Sequence, residues 1–103
     1  MKITPEELKS KIENKEDFFL LDVRTEEEHK IAKIPNSYLI PLNELLNRIT
    51  EVPKNKEIII YCHHGIRSAQ AAEFLKSKNF TNVKSLVGGI NAFSNIVTKI
   101  PKY

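Results

Sequence analysis

The 103-residue sequence holds a single cysteine, Cys62, and no apolar run near the roughly 20 residues that a membrane span needs. With one cysteine no intramolecular disulfide can form, so a stapled secreted scaffold is excluded and a reducing compartment, the cytoplasm, is the expected location. Met1 to Lys15 alternates charged and apolar residues and lacks the apolar core of a signal peptide. Repeats, linkers and low-complexity stretches are also absent, and one compact domain over residues 1–103 is expected, large enough to bury about 60% of its unfolded-chain surface. Nor is there a block of charge. The net +3 comes from lysines spread along the chain, such as Lys9, Lys30, Lys54, Lys76 and Lys99. Without an aromatic-basic motif this reads as a solvated basic surface, and neither nucleic acid nor membrane is an expected partner.

What is present has the balance of a soluble globular protein, 41% hydrophobic and 28% charged. Thr4-Pro5-Glu6-Glu7 combines an N-cap threonine, proline at the first helical position and a glutamate three residues after the cap, predicting a helix to about Asn14. Phe18 to Leu21 reads as a strand. Thr25 to Glu28 repeats the capping box and opens one or two helical turns, after which Ser37 to Ile40 gives a short strand ended by Pro41. Leu42, Leu45, Leu46 and Ile49 have helical spacing. Glu57 to Tyr61 is an almost unbroken β-branched run, the pattern of a central strand buried on both faces of a parallel sheet. A helix from Ser68 to Lys78, a strand near Val83 to Leu86 and a last helix beyond Gly88-Gly89 complete the chain. Strands alternating with helices predict an α/β domain, its mostly parallel sheet flanked by helices on both faces.

In such sheets ligands sit beyond the carboxyl ends of the strands, which directs attention to Cys62-His63-His64-Gly65-Ile66-Arg67-Ser68. The loop joins the best strand to the best helix, and Gly65 supplies freedom for a tight curl. Inward N–H groups, the helix N-terminus and the Arg67 guanidinium would together favour an anion in the cup and stabilise the Cys62 thiolate. A merely structural cysteine needs none of these, so Cys62 is the candidate nucleophile.

The loop resembles that of the rhodanese family, which often reads C-x-x-G-x-R, here Cys62 to Arg67. Three further segments are similar in order: Asp22-Val23-Arg24 through Glu28 to the family's D-x-R-x-x-x-E, Ile34-Pro35 through Ile40-Pro41 to I-P-G-A-x-x-I-P, and Leu86 through Phe93 to L-x-G-G-x-x-x-W. The sequence departs from the family at Ala32-Lys33-Ile34-Pro35-Asn36-Ser37, where many relatives have G-H-I-P-G-A, and at Phe93, where tryptophan is common. The resemblance implies a rhodanese-like fold and a sulfurtransferase. By the same resemblance, the four residues between Cys62 and Arg67 suit sulfur transfer, while related phosphatases carry a loop one residue longer.

The resemblance implies a double displacement. Cys62 takes sulfur from a small anionic donor such as thiosulfate as a persulfide and passes it to cyanide, a small thiol or a protein thiol, without metal or organic cofactor. Arg67 either binds the donor's anionic end or holds the loop. His63 and His64, with Gly65 and Ile66, line the loop; the histidines either tune charge and select the acceptor or are exposed loop side chains. Cys-His-His does not converge on one tetrahedral ion, so no metal site is expected. Ser68 is expected to cap its helix and Asp22 to support the crevice, while Arg24 and Glu28 have i, i+4 spacing for an ion pair. The competing readings are a non-enzymatic rhodanese-like sulfur carrier or partner-binding module and, disfavoured by loop length, a phosphatase or arsenate reductase.

Overall fold

The computed structural model describes residues 1–97; the rest of the domain expected over 1–103, with Lys99, lies outside them. The elements run β1 (Lys2–Ile3), α1 (Pro5–Glu13), β2 (Phe19–Asp22), α2 (Glu26–Ile31), β3 (Tyr38–Leu39), β4 (Ile58–Tyr61), α3 (Ile66–Ser77), β5 (Val83–Leu86) and α4 (Gly89–Ile96). The five strands form one parallel sheet in the order β1-β5-β4-β2-β3, with β4 at its centre.

Period-2 alternation along the strands divides the core into two. On one face Leu21, Ile58 and Ile60 pack with Ala71, Ala72 and Leu75 of α3. On the other Leu20, Ile59 and Tyr61 pack with Leu8 of α1 and Ile90 and Phe93 of α4. All four β4 residues are therefore buried, and each large apolar side chain so covered contributes about 1.5–3 kcal/mol. Helices lie on both faces, as the alternating pattern implies. Phe93, in place of the family's tryptophan, is buried among the second set.

Both capping boxes form. Thr4 Oγ1 accepts the Glu7 N–H at 3.1 Å while Glu7 accepts the Thr4 N–H at 2.9 Å. Thr25 and Glu28 repeat this at 3.2 and 3.0 Å. Asn36 has φ 68°, a left-handed conformation that asparagine tolerates where relatives carry glycine.

The structure departs from the sequence reading in four places. β1, two residues long, carries no periodic signal and is held by pairing Lys2 with Ser85 and Ile3 with Leu86. The leucines after Pro41 form two 3-10 turns, Leu42–Glu44 and Ile49–Glu51, instead of one helix, and Leu46 is left exposed. α3 begins two residues early, with Gly65 at the N-cap in place of Ser68. Arg24 and Glu28 do not pair, because each finds a partner elsewhere. The register sets Asp22 beside Tyr61, so β2 and β4 end together and Cys62 follows at the crevice between them.

Candidate active site

β4 delivers Cys62 to the carboxyl end of the sheet, 1% exposed. The chain then curls through His63 and His64 to Gly65, whose φ of 115° is open to glycine at little cost. This curl turns the first amides of α3 back on the sulfur. The Gly65 N–H donates to Cys62 Sγ at 3.0 Å and the Ser68 N–H at 3.4 Å. The thiol is also 3.6 Å from Ser68 Oγ. Two backbone donors at a helix N-terminus, aimed at one sulfur, suit a sulfur that carries negative charge.

Ser68, within the first turn of α3, also braces the loop. Its hydroxyl donates to Gly65 O at 3.1 Å and shares a 2.7 Å hydrogen bond with Ser85 Oγ, tying the loop to β5. The His63 and His64 rings meet edge to face, 4.0 Å apart, with His63 half-buried and His64 exposed.

Arg67 turns to α2. Its Nη1 and Nη2 donate to Glu28 Oε1 and Oε2 at 2.7 and 2.9 Å, a bidentate pair with side chains 34% and 15% exposed. Those hydrogen bonds hold the Glu28 carboxyl down at about 2, and they raise Arg67 above its usual range. Glu28 also accepts from Thr25, so the α2 capping box aims the carboxylate that holds Arg67.

Asp22 lies beside this site without touching the sulfur loop. Its carboxylate takes Arg24 Nε at 2.9 Å and Nη2 at 2.7 Å, and His29 Nδ1 lies 2.8 Å away. Arg24 Nη2 also reaches Ala32 O at 2.6 Å, and its guanidinium lies 5.2 Å from the centre of the Tyr61 ring. The Tyr61 hydroxyl, pushed up to about 12 chiefly by burial, donates to Ser37 Oγ and accepts the Ile34 N–H.

The opposite wall is the start of α4. The Ile90 N–H donates to Cys62 O at 2.9 Å and the Asn91 N–H to His63 O at 3.1 Å. A Cβ at Gly89 would lie 2.4 Å from both of those carbonyl oxygens, so glycine is required for this approach.

A family model for the rhodanese-like domain matches residues 4–96. The chain belongs to that family. As a rhodanese-like domain it is 35% identical to a sulfurtransferase of Allochromatium vinosum over 89% of its own length and 86% of the relative's. It is 41% identical to the putative sulfur carrier protein YrkF of Bacillus subtilis over 85% of its length, spanning 48% of that protein. Among solved structures, a rhodanese-related protein of Thermoplasma volcanium superposes with a TM-score of 0.82 at 33% identity, covering 97% of this chain and 94% of the other.

The fold turns the Gly65 and Ser68 amides onto Cys62, leaves His64 and Ile66 exposed on the loop, directs Arg67 to Glu28 and sets Asp22 to one side. Glu28, Ser85 and Gly89 complete the surroundings and were not singled out for this purpose by sequence. Glu28 stood out as a capping residue, as the end of a family segment and as a partner for Arg24 rather than Arg67, and the Gly88-Gly89 pair signalled a break without saying what lay against it.

Proposed function

We propose that this domain is a sulfurtransferase that carries a sulfane sulfur as a persulfide on Cys62. The observation that supports it is the pair of N–H donors, from Gly65 and Ser68, converging on Sγ. The short interval to Arg67 and the likeness to a sulfurtransferase support the same reading.

With thiosulfate as donor, the Cys62 thiolate attacks the outer sulfur, the S–S bond breaks, and sulfite leaves with the electron pair. Charge is conserved, and the terminal sulfur of the persulfide is now the anion. The Gly65 and Ser68 amides are preorganised for charge on sulfur at this point in the loop. A second nucleophile, cyanide or a thiol, then attacks the terminal sulfur and restores Cys62, which gives ping-pong kinetics. The reaction belongs in a reducing compartment, where Cys62 stays free.

Intact-mass measurement after thiosulfate treatment tests this. A gain of one sulfur by the native chain and none by Cys62→Ser is the expected result; no gain from thiosulfate or any other sulfane donor defeats the reading. The likeness to a putative sulfur carrier favours one alternative, a domain that accepts sulfur and waits for a protein acceptor. Sulfur loading without turnover on cyanide would identify that carrier.

A further inference from the structure

An anion entering the cup meets the first amides of α3, two of which already point at Sγ. The only arginine or lysine between Cys62 and Ser68 is Arg67, and Glu28 engages both of its terminal nitrogens. Beside the loop's own histidines and Ser85, apolar side chains stand at its rim. Ile66 is 74% exposed directly after Gly65, and exposed Val87 lies in the β5–α4 segment, whose Leu86 O and Gly88 N are 3.6 Å from where a Gly65 Cβ would be.

We infer that Glu28 determines donor specificity by withholding Arg67 from the cup, disfavouring a dianionic donor such as thiosulfate against a persulfide, R–S–SH, that is neutral or singly charged. This rests on the sulfurtransferase reading and narrows its substrate class. In the favoured step the Cys62 thiolate bonds to the outer sulfur and the S–S bond to R breaks. R–S⁻ leaves with the electron pair, and Cys62 keeps the sulfur with its proton, so nothing is oxidised overall. Arg67 stands in the first turn of α3, next to Ser68, whose N–H reaches Sγ, so a guanidinium freed from Glu28 starts beside the cup. It would add a charge-assisted contact for a dianion that a persulfide needs less.

Glu28→Gln tests this, because the amide oxygen can still accept from Thr25 while the charge that binds Arg67 is gone. With thiosulfate, KM is expected to fall about fivefold, the upper worth of a partly exposed charge contact, while kcat stays within about twofold. With glutathione persulfide KM is expected to stay unchanged. The double variant Glu28→Gln/Arg67→Gln should return the thiosulfate KM to the native value. An unchanged thiosulfate KM in Glu28→Gln, or an equal loss with both donors, reduces Glu28 to a brace and overturns the inference.

Protection of Cys62 from iodoacetamide by sulfate reads anion entry without any sulfur transfer. Sulfate is expected to protect Glu28→Gln at about one fifth of the concentration that protects the native chain. If Glu28→Gln does not fold, the uncharged double variant decides: native-like sulfate protection supports a sequestered Arg67, and lost protection overturns it. A chain that takes no sulfur but shows the shifted protection refutes the sulfurtransferase reading alone.

Discussion

Arg24 and Arg67 each hold a carboxylate with two hydrogen bonds, but in different surroundings. The Arg24–Asp22 pair has no solvent exposure on either side chain and adds a backbone carbonyl and the Tyr61 ring to its contacts. The Arg67–Glu28 pair is a third exposed on the arginine, and Glu28 accepts further from Thr25 of its own capping box. A buried pair is costly to break because the surviving charge stays dry; an exposed pair is cheap to break and so can be spent on position. The first therefore fixes the crevice wall, and the second governs a loop.

That contrast can be broken by experiment. Arg24→Met leaves Asp22 buried with His29 and its own backbone contacts, and should destabilise the fold by about 3–5 kcal/mol in urea denaturation. Sulfur loading per folded molecule should survive. A loss under about 1 kcal/mol would mean that the two pairs are energetically alike.

The Glu28 pair predicts a smaller, pH-dependent effect. Its carboxyl lies at about 2 against an ordinary 4.5, held there first by Arg67. A group lowered in the folded state contributes stability that is complete above its unfolded value and disappears as pH falls through the folded one. The stability gap between the native chain and Glu28→Gln should thus be on the order of 1–2 kcal/mol near neutrality, shrink below pH 4.5 and close near pH 2. Denaturation curves at a series of pH values measure it, and a gap that widens with acid would reverse the assignment. Smallest of all, Thr25→Ala removes one half of a capping box and should cost about 1 kcal/mol. If the capping box also aims Glu28, the thiosulfate KM should drift in the direction of Glu28→Gln.

Much of this was legible before any coordinates. Ile58-Ile59-Ile60 announced a strand buried on both sides, and the two Thr-x-x-Glu signals marked both helix starts, because each rests on a local pattern. Cys62 and its loop were legible for the same reason, as a strand end, a glycine and a helix start within seven residues. Pairings across the fold were not. Spacing along one helix offered Glu28 to Arg24, whereas the parallel register and the curl of α3 brought it to Arg67, 39 residues away. The leucines after Pro41 kept helical spacing without helical length, and the two residues of β1 take their structure from β5.

The hydrogen bonds from Ile90 and Asn91 to the carbonyls of Cys62 and His63 carry a consequence for how the protein comes into being. The loop is clasped by residues nearly thirty positions downstream, so its shape depends on a contact that closes late. A chain emerging from a ribosome, which folds as its segments become available, exposes Cys62 well before α4 can reach it. Until then that cysteine sits on an unfinished loop. The clasp can close only once α4 has been made, and a premature stop anywhere before Gly89 leaves a chain with its sulfur atom but without those two hydrogen bonds.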